Sequence, residues 1–154
     1  MTPRSLFRTL AFAEAVTWTG LIIGILAKYV FAPGEAGDLI LRITGSVHGF
    51  VFLAFAATAV LLTINQRWNP GVGAIAIVSA IVPYATIPVE LWLARSGRLE
   101  GAWRLEPTDD PRDEHWIDRT FRWFIRRPWL FGILLVAAIA VLFTVLLILG
   151  PPGG

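Results

Sequence analysis

The sequence has no cysteine. This excludes disulfide bonds, thiolate metal sites and cysteine nucleophiles, and it leaves the redox compartment open. Charge is also scarce, because only thirteen Lys and Arg and eleven Asp and Glu occur among 154 residues, most of them between residues 95 and 127. The net charge of +2 gives no indication of nucleic-acid binding. With no cofactor motif and no ligand set at metal-binding spacing, we expect no cofactor, no metal and no nucleic-acid partner.

Hydrophobic residues, in contrast, are in excess. They make up 56% of the chain, which also contains seven tryptophans, and the mean hydropathy is +0.67. These values exceed those of an ordinary soluble domain, so the composition predicts an all-α membrane protein. The N-terminal apolar run contains Glu14 and lacks a small-residue cleavage site, so we expect a membrane span there and not a signal peptide.

Four segments are long and apolar enough to cross the roughly 30 Å hydrocarbon layer as helices, for which about 20 residues are needed. They cover about residues 6–30, 39–64, 72–93 and 130–149. The third contains Pro83 and Pro88, which a membrane helix tolerates when neighbouring groups satisfy the freed carbonyls. We therefore predict a three-helix membrane core over residues 1–95, a polar loop over 96–128, and a fourth transmembrane helix with a short tail over 129–154.

The polar loop contains a predicted amphipathic helix at about residues 109–128. Asp110 is a suitable N-cap, Pro111 a suitable first residue, and Asp113 an acid in the first turn, where the helix dipole favours it. Helical spacing then separates an apolar face from a polar face. The apolar face consists of Trp116, Ile117, Phe121, Trp123 and Phe124. The helix is predicted to lie at the membrane interface, either as a flat anchor or as a site that recognises anionic lipid or a partner. The candidate lipid-contacting residues are Arg119, Arg122, Arg126 and Arg127.

The distribution of Lys and Arg predicts an orientation. If all four segments cross, the side with the N-terminus carries three of these residues and the opposite side carries ten. The positive-inside rule then places the loop over residues 95–128 in the cytoplasm and both termini outside. The first helix taken alone, which follows Arg4 and Arg8, favours the reverse.

Four glycines indicate where the first two helices pack. Helices in a bilayer associate through small residues that let their backbones approach. One glycine pair in each helix lies within about 12 Å of the Lys28 or Arg42 end, so the depths match and a close crossing is predicted. The alternative is that one pair contacts a second copy of the chain. The residues are Gly20, Gly24, Gly45 and Gly49, and Pro83 is grouped with them because it would let the third helix bend.

Glu14, His48 and Glu90 are the acidic or imidazole groups within the predicted spans. Such groups are costly in a membrane and are therefore candidates for function. Measured from the helix ends, His48 and Glu90 lie toward one side and are predicted to pair, whereas Glu14 lies toward the other. A purely structural role is the alternative, with His48 bonded to a carbonyl and Glu14 meeting Arg8 or water.

Several short motifs follow one another in a recognisable order. They are Leu6-Phe7-Arg8, Ala13-Glu14-Ala15, Trp18, Ala27-Lys28-Tyr29, Gly45-x-x-His48-Gly49-x-x-Phe52, Pro83-Tyr84-Ala85-Thr86 and Glu90-x-Trp92-Leu93. Over residues 6–95 this set resembles the YdzA-like family of small bacterial integral membrane proteins. The resemblance implies a three-helix unit in the bacterial plasma membrane and a family of unknown function, so no catalytic residues are carried over. The long loop and the fourth helix depart from the family pattern.

Three classes of function are compatible with the sequence. The first is a non-enzymatic accessory or scaffold protein, acting alone, in a homo-oligomer or with another membrane protein. The second is a small proton-coupled carrier or channel that uses Glu14, His48 and Glu90. The third, an intramembrane enzyme, is disfavoured because the chain has no cysteine, one buried histidine and no metal-ligand cluster.

Overall fold

The computed structural model describes residues 1–149, and at six positions in the last helix it describes the backbone alone. Those positions are Pro128, Phe131, Leu135, Leu146, Leu147 and Leu149. The described residues form helices and no β-strand, which confirms the predicted all-α class. They divide into two compact units, Met1–Glu100 and the chain from Gly101 onward. The predicted C-terminal tail, residues 150–154, lies outside the described residues.

The first unit begins with two long helices. Helix α1 covers Pro3–Leu26 and continues through a wider π-helical turn over Ala27–Phe31. Its N-terminus is capped by the side chain of Thr2. Helix α2 covers Glu35–Asn65 and follows a turn at Gly34, whose φ of +112° only glycine adopts without steric cost. The first two predicted helices are thus confirmed, and each begins a few residues earlier than predicted.

Helices α1 and α2 pack as an antiparallel pair. Next to the connecting turn, Nζ of Lys28 lies 3.0 Å from Oδ1 of Asp38. At the other end, the rings of Phe7 and Phe55 are 5.1 Å apart. The two contacts together fix the register of one helix against the other, because each joins residues at the same level.

The third predicted span is not one helix. It consists of α3, Pro70–Val78, a 3-10 turn over Ser79–Ile81, and α4, Thr86–Arg95. Pro83 explains the interruption, because proline has no N–H to donate to the preceding turn and forces the residue before it into an extended conformation. That residue, Val82, has φ −103° and ψ 126°.

The two short helices run in opposite directions along α1. At the tip, the indole N–H of Trp18 donates to the carbonyl of Ala80 at 3.1 Å. At the start of α4, the hydroxyl of Thr86 donates to the carbonyl of Ala11 at 3.0 Å, two turns closer to the N-terminus of α1. Helix α4 therefore runs back toward the end of the molecule from which α3 starts.

The base of this α3–α4 hairpin is closed by a tryptophan. The indole N–H of Trp68, just before α3, donates to the carbonyl of Arg98, just after α4, at 2.9 Å. The ring of Trp68 also packs edge-on against Phe7 near the start of α1, at 6.1 Å. Both ends of the segment thus lie beside the N-terminus of α1, and the prediction of a third spanning helix is wrong.

The second unit contains three helical elements. A 3-10 turn over Pro111–Glu114 is followed by α5, Trp116–Ile125, and α6, Pro128–Leu149. The carboxylate of Asp110 accepts the backbone N–H two residues on at 2.9 Å, which confirms it as the N-cap. The single helix predicted from this residue is interrupted at His115, which is extended with φ −61° and ψ 143°.

Two helices in the described part of the chain are long and apolar enough to cross a membrane. They are the 29-residue Pro3–Phe31 and the 31-residue Glu35–Asn65. At 1.5 Å per residue each exceeds the roughly 30 Å hydrocarbon layer. The other apolar helical stretches found, Pro70–Ile81 and Gly132–Val145, are shorter. By length and composition the described residues thus contain two helices that qualify as candidate spans, whereas the sequence analysis predicts four.

Candidate functional site

Glu14 lies on the face of α1 that the rest of the first unit covers. On this face Phe7, Ala11 and Glu14 follow helical spacing, and each is 0% exposed. Neither carboxylate oxygen of Glu14 has a hydrogen-bond partner among the described residues. An ionised carboxylate in such a position is costly, so the group must either hold a proton or pair with a cation.

The cation-forming group that faces Glu14 is His48 on α2. Its Nδ1 lies 3.8 Å from Oε2 of Glu14, beyond hydrogen-bond length but within reach of an ion pair. The same nitrogen lies 3.2 Å from the hydroxyl of Thr17, which itself donates to the main-chain carbonyl of Glu14 at 3.0 Å. The Thr17 oxygen can therefore accept a hydrogen bond from Nδ1 when that nitrogen carries the proton. The ring of Trp18 packs on the imidazole at 4.6 Å, so the imidazole is held between α1 and α2.

The predicted pairing of His48 with Glu90 is wrong, and the register of the helices explains why. The turn places Lys28 level with Asp38, so α2 is shifted by about 6 Å from the register that Arg42 had indicated. This shift brings His48 to the level of Glu14, which was predicted to stand apart.

Glu90 lies elsewhere because α4 belongs to a hairpin. Thr86 is level with Ala11 of α1, and Glu90 is one turn further toward the base. It is 3% exposed. No described residue forms an ion pair with it, and its level along α1 is about 10 Å from the level of Glu14 and His48. In the same segment Ser79 and Thr86 are buried, whereas Pro83 is exposed and forms part of the hairpin tip.

The tip of the α3–α4 hairpin meets α1 close to the Glu14 and His48 pair. Tyr84 has a φ of +64°, a left-handed conformation that is rare without glycine, and its hydroxyl lies 3.2 Å from that of Thr19. Trp18 contacts both the imidazole and the tip. Sequence analysis did not assign Thr17 or Trp18 a role, although both lie within one helical turn of Glu14, which was a usable signal.

The four glycines do not contribute equally to the crossing of α1 and α2. A Cβ on Gly24 would overlap the hydroxyl of Thr44 and lie 3.1 Å from the backbone of Leu41. A Cβ on Gly20 or Gly45 would make ordinary contacts, with the closest atoms at 3.9 and 3.8 Å. Gly49 is half-buried. Close approach is therefore concentrated at Gly24.

A second polar cluster lies in the unit from Gly101 onward. Arg122, predicted on the lipid-facing surface, is instead 7% exposed, and its guanidinium lies 2.6 Å from the carboxylate of Asp113. Arg104 contacts the same carboxylate at 3.0 Å and Asp118 at 2.6 Å. Asp113, predicted as an acid in the first turn of a helix, thus lies at the centre of a buried ion-pair network.

Metal ligands are not grouped in either cluster. Among the residues that the structure describes, no group of three or more His, Cys, Asp or Glu side chains could hold a metal ion.

Apolar side chains cover much of the outer surface of the first two helices, as at Val16, Ile23, Leu39 and Ile43, each more than half exposed. Exposed apolar surface of this extent, on two helices of spanning length around a buried ionisable pair, defines a helical membrane protein. The chain belongs to the family described as Domain of unknown function (DUF3817), which it matches over residues 4–95. This match supports a family of unknown function, and it does not confirm the YdzA-like designation.

A relative has been found in Streptomyces coelicolor, where it is named "Putative membrane protein SCO5905". It is 38% identical over 106 residues, which cover 68% of this chain but only 12% of the relative's length. No solved structure matches the chain significantly. The comparisons therefore agree with a membrane location.

Proposed function

We propose that this chain is a non-enzymatic bacterial plasma-membrane protein whose core binds and exchanges a proton between Glu14 and His48, as a small proton-coupled carrier or channel. The observation that carries the proposal is the fully buried Glu14 carboxyl group, which has no hydrogen-bond partner among the described residues and faces the imidazole at 3.8 Å. A proton on Glu14 leaves both groups neutral, and a proton on His48 pairs an imidazolium with the carboxylate, so either position offsets the cost of burying a charge. Histidine is suited to the exchange because its charge changes nearest neutral pH.

The α3–α4 hairpin supports the same proposal. Non-helical backbone at membrane depth is tolerated where it is buried in protein or lines a cavity, and broken helices commonly mark the binding sites of transporters. Here the broken segment ends against Trp18 and Thr19, one turn from Glu14. The titratable groups that the hairpin contributes are Tyr84 at the tip, and Glu90 and Arg95 nearer the base.

The hairpin also changes the proposed topology. We infer three spans, α1, α2 and α6, with α3 and α4 dipping into the membrane and returning. If the chain after Glu100 stays on that side until α6 begins, one side carries Lys28 and Arg42 and the other carries the remaining eleven Lys and Arg residues. The positive-inside rule then places both the N-terminus and the loop in the cytoplasm, which removes the conflict with Arg4 and Arg8.

An accessory role is the second candidate, and it rests on a different observation. The matched region makes up 12% of the Streptomyces relative, so a unit of this kind also occurs as a small part of a longer protein. A chain with three spans is small for enclosing a pathway by itself. The carrier proposal therefore includes a homo-oligomer, and the accessory proposal includes another membrane protein as partner.

The test is proton uptake by the purified protein in proteoliposomes. With a potassium gradient and valinomycin setting the membrane potential, we expect an internal pH dye to report proton entry that Glu14→Gln and His48→Gln abolish. Infrared spectra of the same samples should show a protonated carboxyl band that is lost in Glu14→Gln, because the group is buried without partners.

Glu90→Gln is the matched control, since it removes another buried carboxyl group of the same unit that has no contact with His48. It should retain the flux. Equal loss in all three variants would refute the assignment to Glu14 and His48. Absence of flux in the parent protein, together with one protein that co-purifies in fixed ratio from native membranes, would favour the accessory role.

A further inference from the structure

The second unit contains a cleft of about 950 Å³ next to α5. Four arginines line it, together with two acids and the indole of Trp123. The arginines are Arg119, Arg122, Arg126 and Arg127. Three of them, all except the last, recur at helical spacing, so α5 presents one cationic face to the cleft.

The buried network beneath the cleft is already neutral. Asp113 accepts from Arg122 and Arg104, and Asp118 accepts from Arg104, so two positive and two negative charges compensate each other. The second oxygen of Asp113 also accepts the N–H and hydroxyl of Thr108, at 2.8 and 2.6 Å. Arg122 therefore belongs to the buried network that supports the cleft, and it has few N–H donors left for a ligand.

The other three arginines are held differently, by main-chain carbonyls and a ring. Nε of Arg119 donates to the carbonyl of Glu114 at 3.0 Å, and Nε of Arg126 donates to the carbonyl of Leu105 at 2.7 Å. Since a guanidinium group has five N–H donors, each keeps its two terminal nitrogens for other acceptors. Neither guanidinium forms an ion pair with a described residue.

Arg127 completes the set beside the indole of Trp123. Its guanidinium lies over that ring at 4.5 Å, a cation–π contact that orients the planar group. The carboxylate of Glu114 is the remaining acid of the cleft. Its negative charge offsets one of the three exposed arginines, so the cleft has an excess of two positive charges.

We propose that this cleft binds a phosphate group, carried by an anionic lipid or by a soluble ligand. Guanidinium groups recognise phosphate through paired N–H donors, and pre-oriented ones lose less rotamer freedom on binding. The excess of two charges matches a phosphate that is singly or doubly ionised. Arg119, Arg126 and Arg127 are the binding residues, and Arg122 holds the cleft in shape through Asp113.

The proposal is tested by calorimetric titration of the full-length protein in neutral detergent. The probes are inorganic phosphate, short-chain phosphatidylglycerol and short-chain phosphatidylcholine. We expect the variant with Arg119, Arg126 and Arg127 all changed to Gln to bind the anionic probes at least about tenfold more weakly. Tighter binding of phosphatidylglycerol than of phosphate would identify a lipid headgroup as the ligand, and the opposite order would identify a soluble phosphate.

Arg112→Gln is the matched control for charge. It removes one cation from the same loop but lies outside the cleft, where it pairs with Asp110 at 2.7 Å. Its affinity should stay within about twofold of the parent. If the triple variant does not fold, Arg119→Gln and Arg127→Gln decide singly, because both side chains are exposed. Failure of the parent to bind either anionic probe, or equal weakening by Arg112→Gln, would overturn the proposal.

Discussion

At the scale of single residues, the defining feature is a carboxyl group and an imidazole that face each other from neighbouring helices. Glu14 is 0% exposed and His48 is 8% exposed. Removal of one partner leaves the other polar group buried without compensation, which costs more than the net value of the contact. The two residues should therefore behave as an energetically coupled unit.

A double-mutant cycle measures this coupling. Glu14→Gln and His48→Leu should each lower the melting temperature in detergent, and the double variant should lose less than the sum, with a coupling free energy of roughly 0.5–3 kcal/mol. The parallel cycle of His48→Leu with Glu90→Gln should be additive within about 0.5 kcal/mol, because these residues are at different levels. Coupling in the second cycle and not in the first would show that the register of α1 and α2 is incorrect.

The sequence was sufficient to find these residues but not to pair them. An ionisable group within an apolar run is visible at once, because the membrane makes it costly. Pairing depends on the level at which helices meet. Measuring depth from Arg42 and not from Asp38 misplaced His48 by about one helical turn. Treating residues 72–93 as one crossing helix misplaced Glu90, which lies toward the base of the hairpin.

At the scale of elements, Gly24 is the one of the four predicted glycines at which α1 and α2 come close, and Gly37 is a further glycine that packs against the π-helical turn after α1. The space opposite Gly24 is filled by Leu41 and Thr44, whereas a methyl group fits at Gly20. The spacing in the sequence does not distinguish Gly20 from Gly24. Which of them lies nearer to α2 depends on where the two helices cross. The small-residue pattern therefore predicted which helices pack but not where they come closest.

Substitution by alanine separates the two positions. Gly24→Ala should destabilise the protein by roughly 1–3 kcal/mol, since its methyl group cannot be accommodated without moving the backbone of Leu41. Gly20→Ala, on the same helix, should change stability by at most about 0.5 kcal/mol. Thermal unfolding in the same detergent compares them, and equal losses would contradict a close approach at Gly24.

The interrupted third segment was predictable only in part. Pro83 was recognised as a place where a helix bends, and its effect on Val82 follows from local sterics. The reversal of the chain there, however, depends on residues distant in sequence. Trp18 donates a hydrogen bond to the carbonyl of Ala80, and the hydroxyl of Tyr84 contacts that of Thr19. Such contacts cannot be predicted from the residues next to Pro83.

At the scale of the whole molecule, the prediction that differs most from a four-span topology is that residues 4 and 96 lie on the same side of the membrane. Single cysteines at Arg4, Glu35 and Ser96 in this cysteine-free chain should label in two groups. We expect the first and last to be protected from an impermeant reagent in intact cells, and Glu35→Cys to be labelled. Labelling of Arg4→Cys with protection of Ser96→Cys would mean that the segment over residues 70–95 crosses the membrane.

The two short arms of the α3–α4 hairpin also bear on how the protein is made. Their lengths are nine and ten residues, about half of what a helix needs to partition into lipid independently. Two long helices can be inserted one after the other and only later associate, but these arms have no such independent stage. Because the carbonyl of Ala80, in the turn between the two arms, accepts the indole N–H of Trp18 in α1, we expect α1 to be in place before residues 70–95 leave the insertion machinery. Assembly is thereby ordered in time, with the N-terminal helix serving as the template on which the re-entering segment folds.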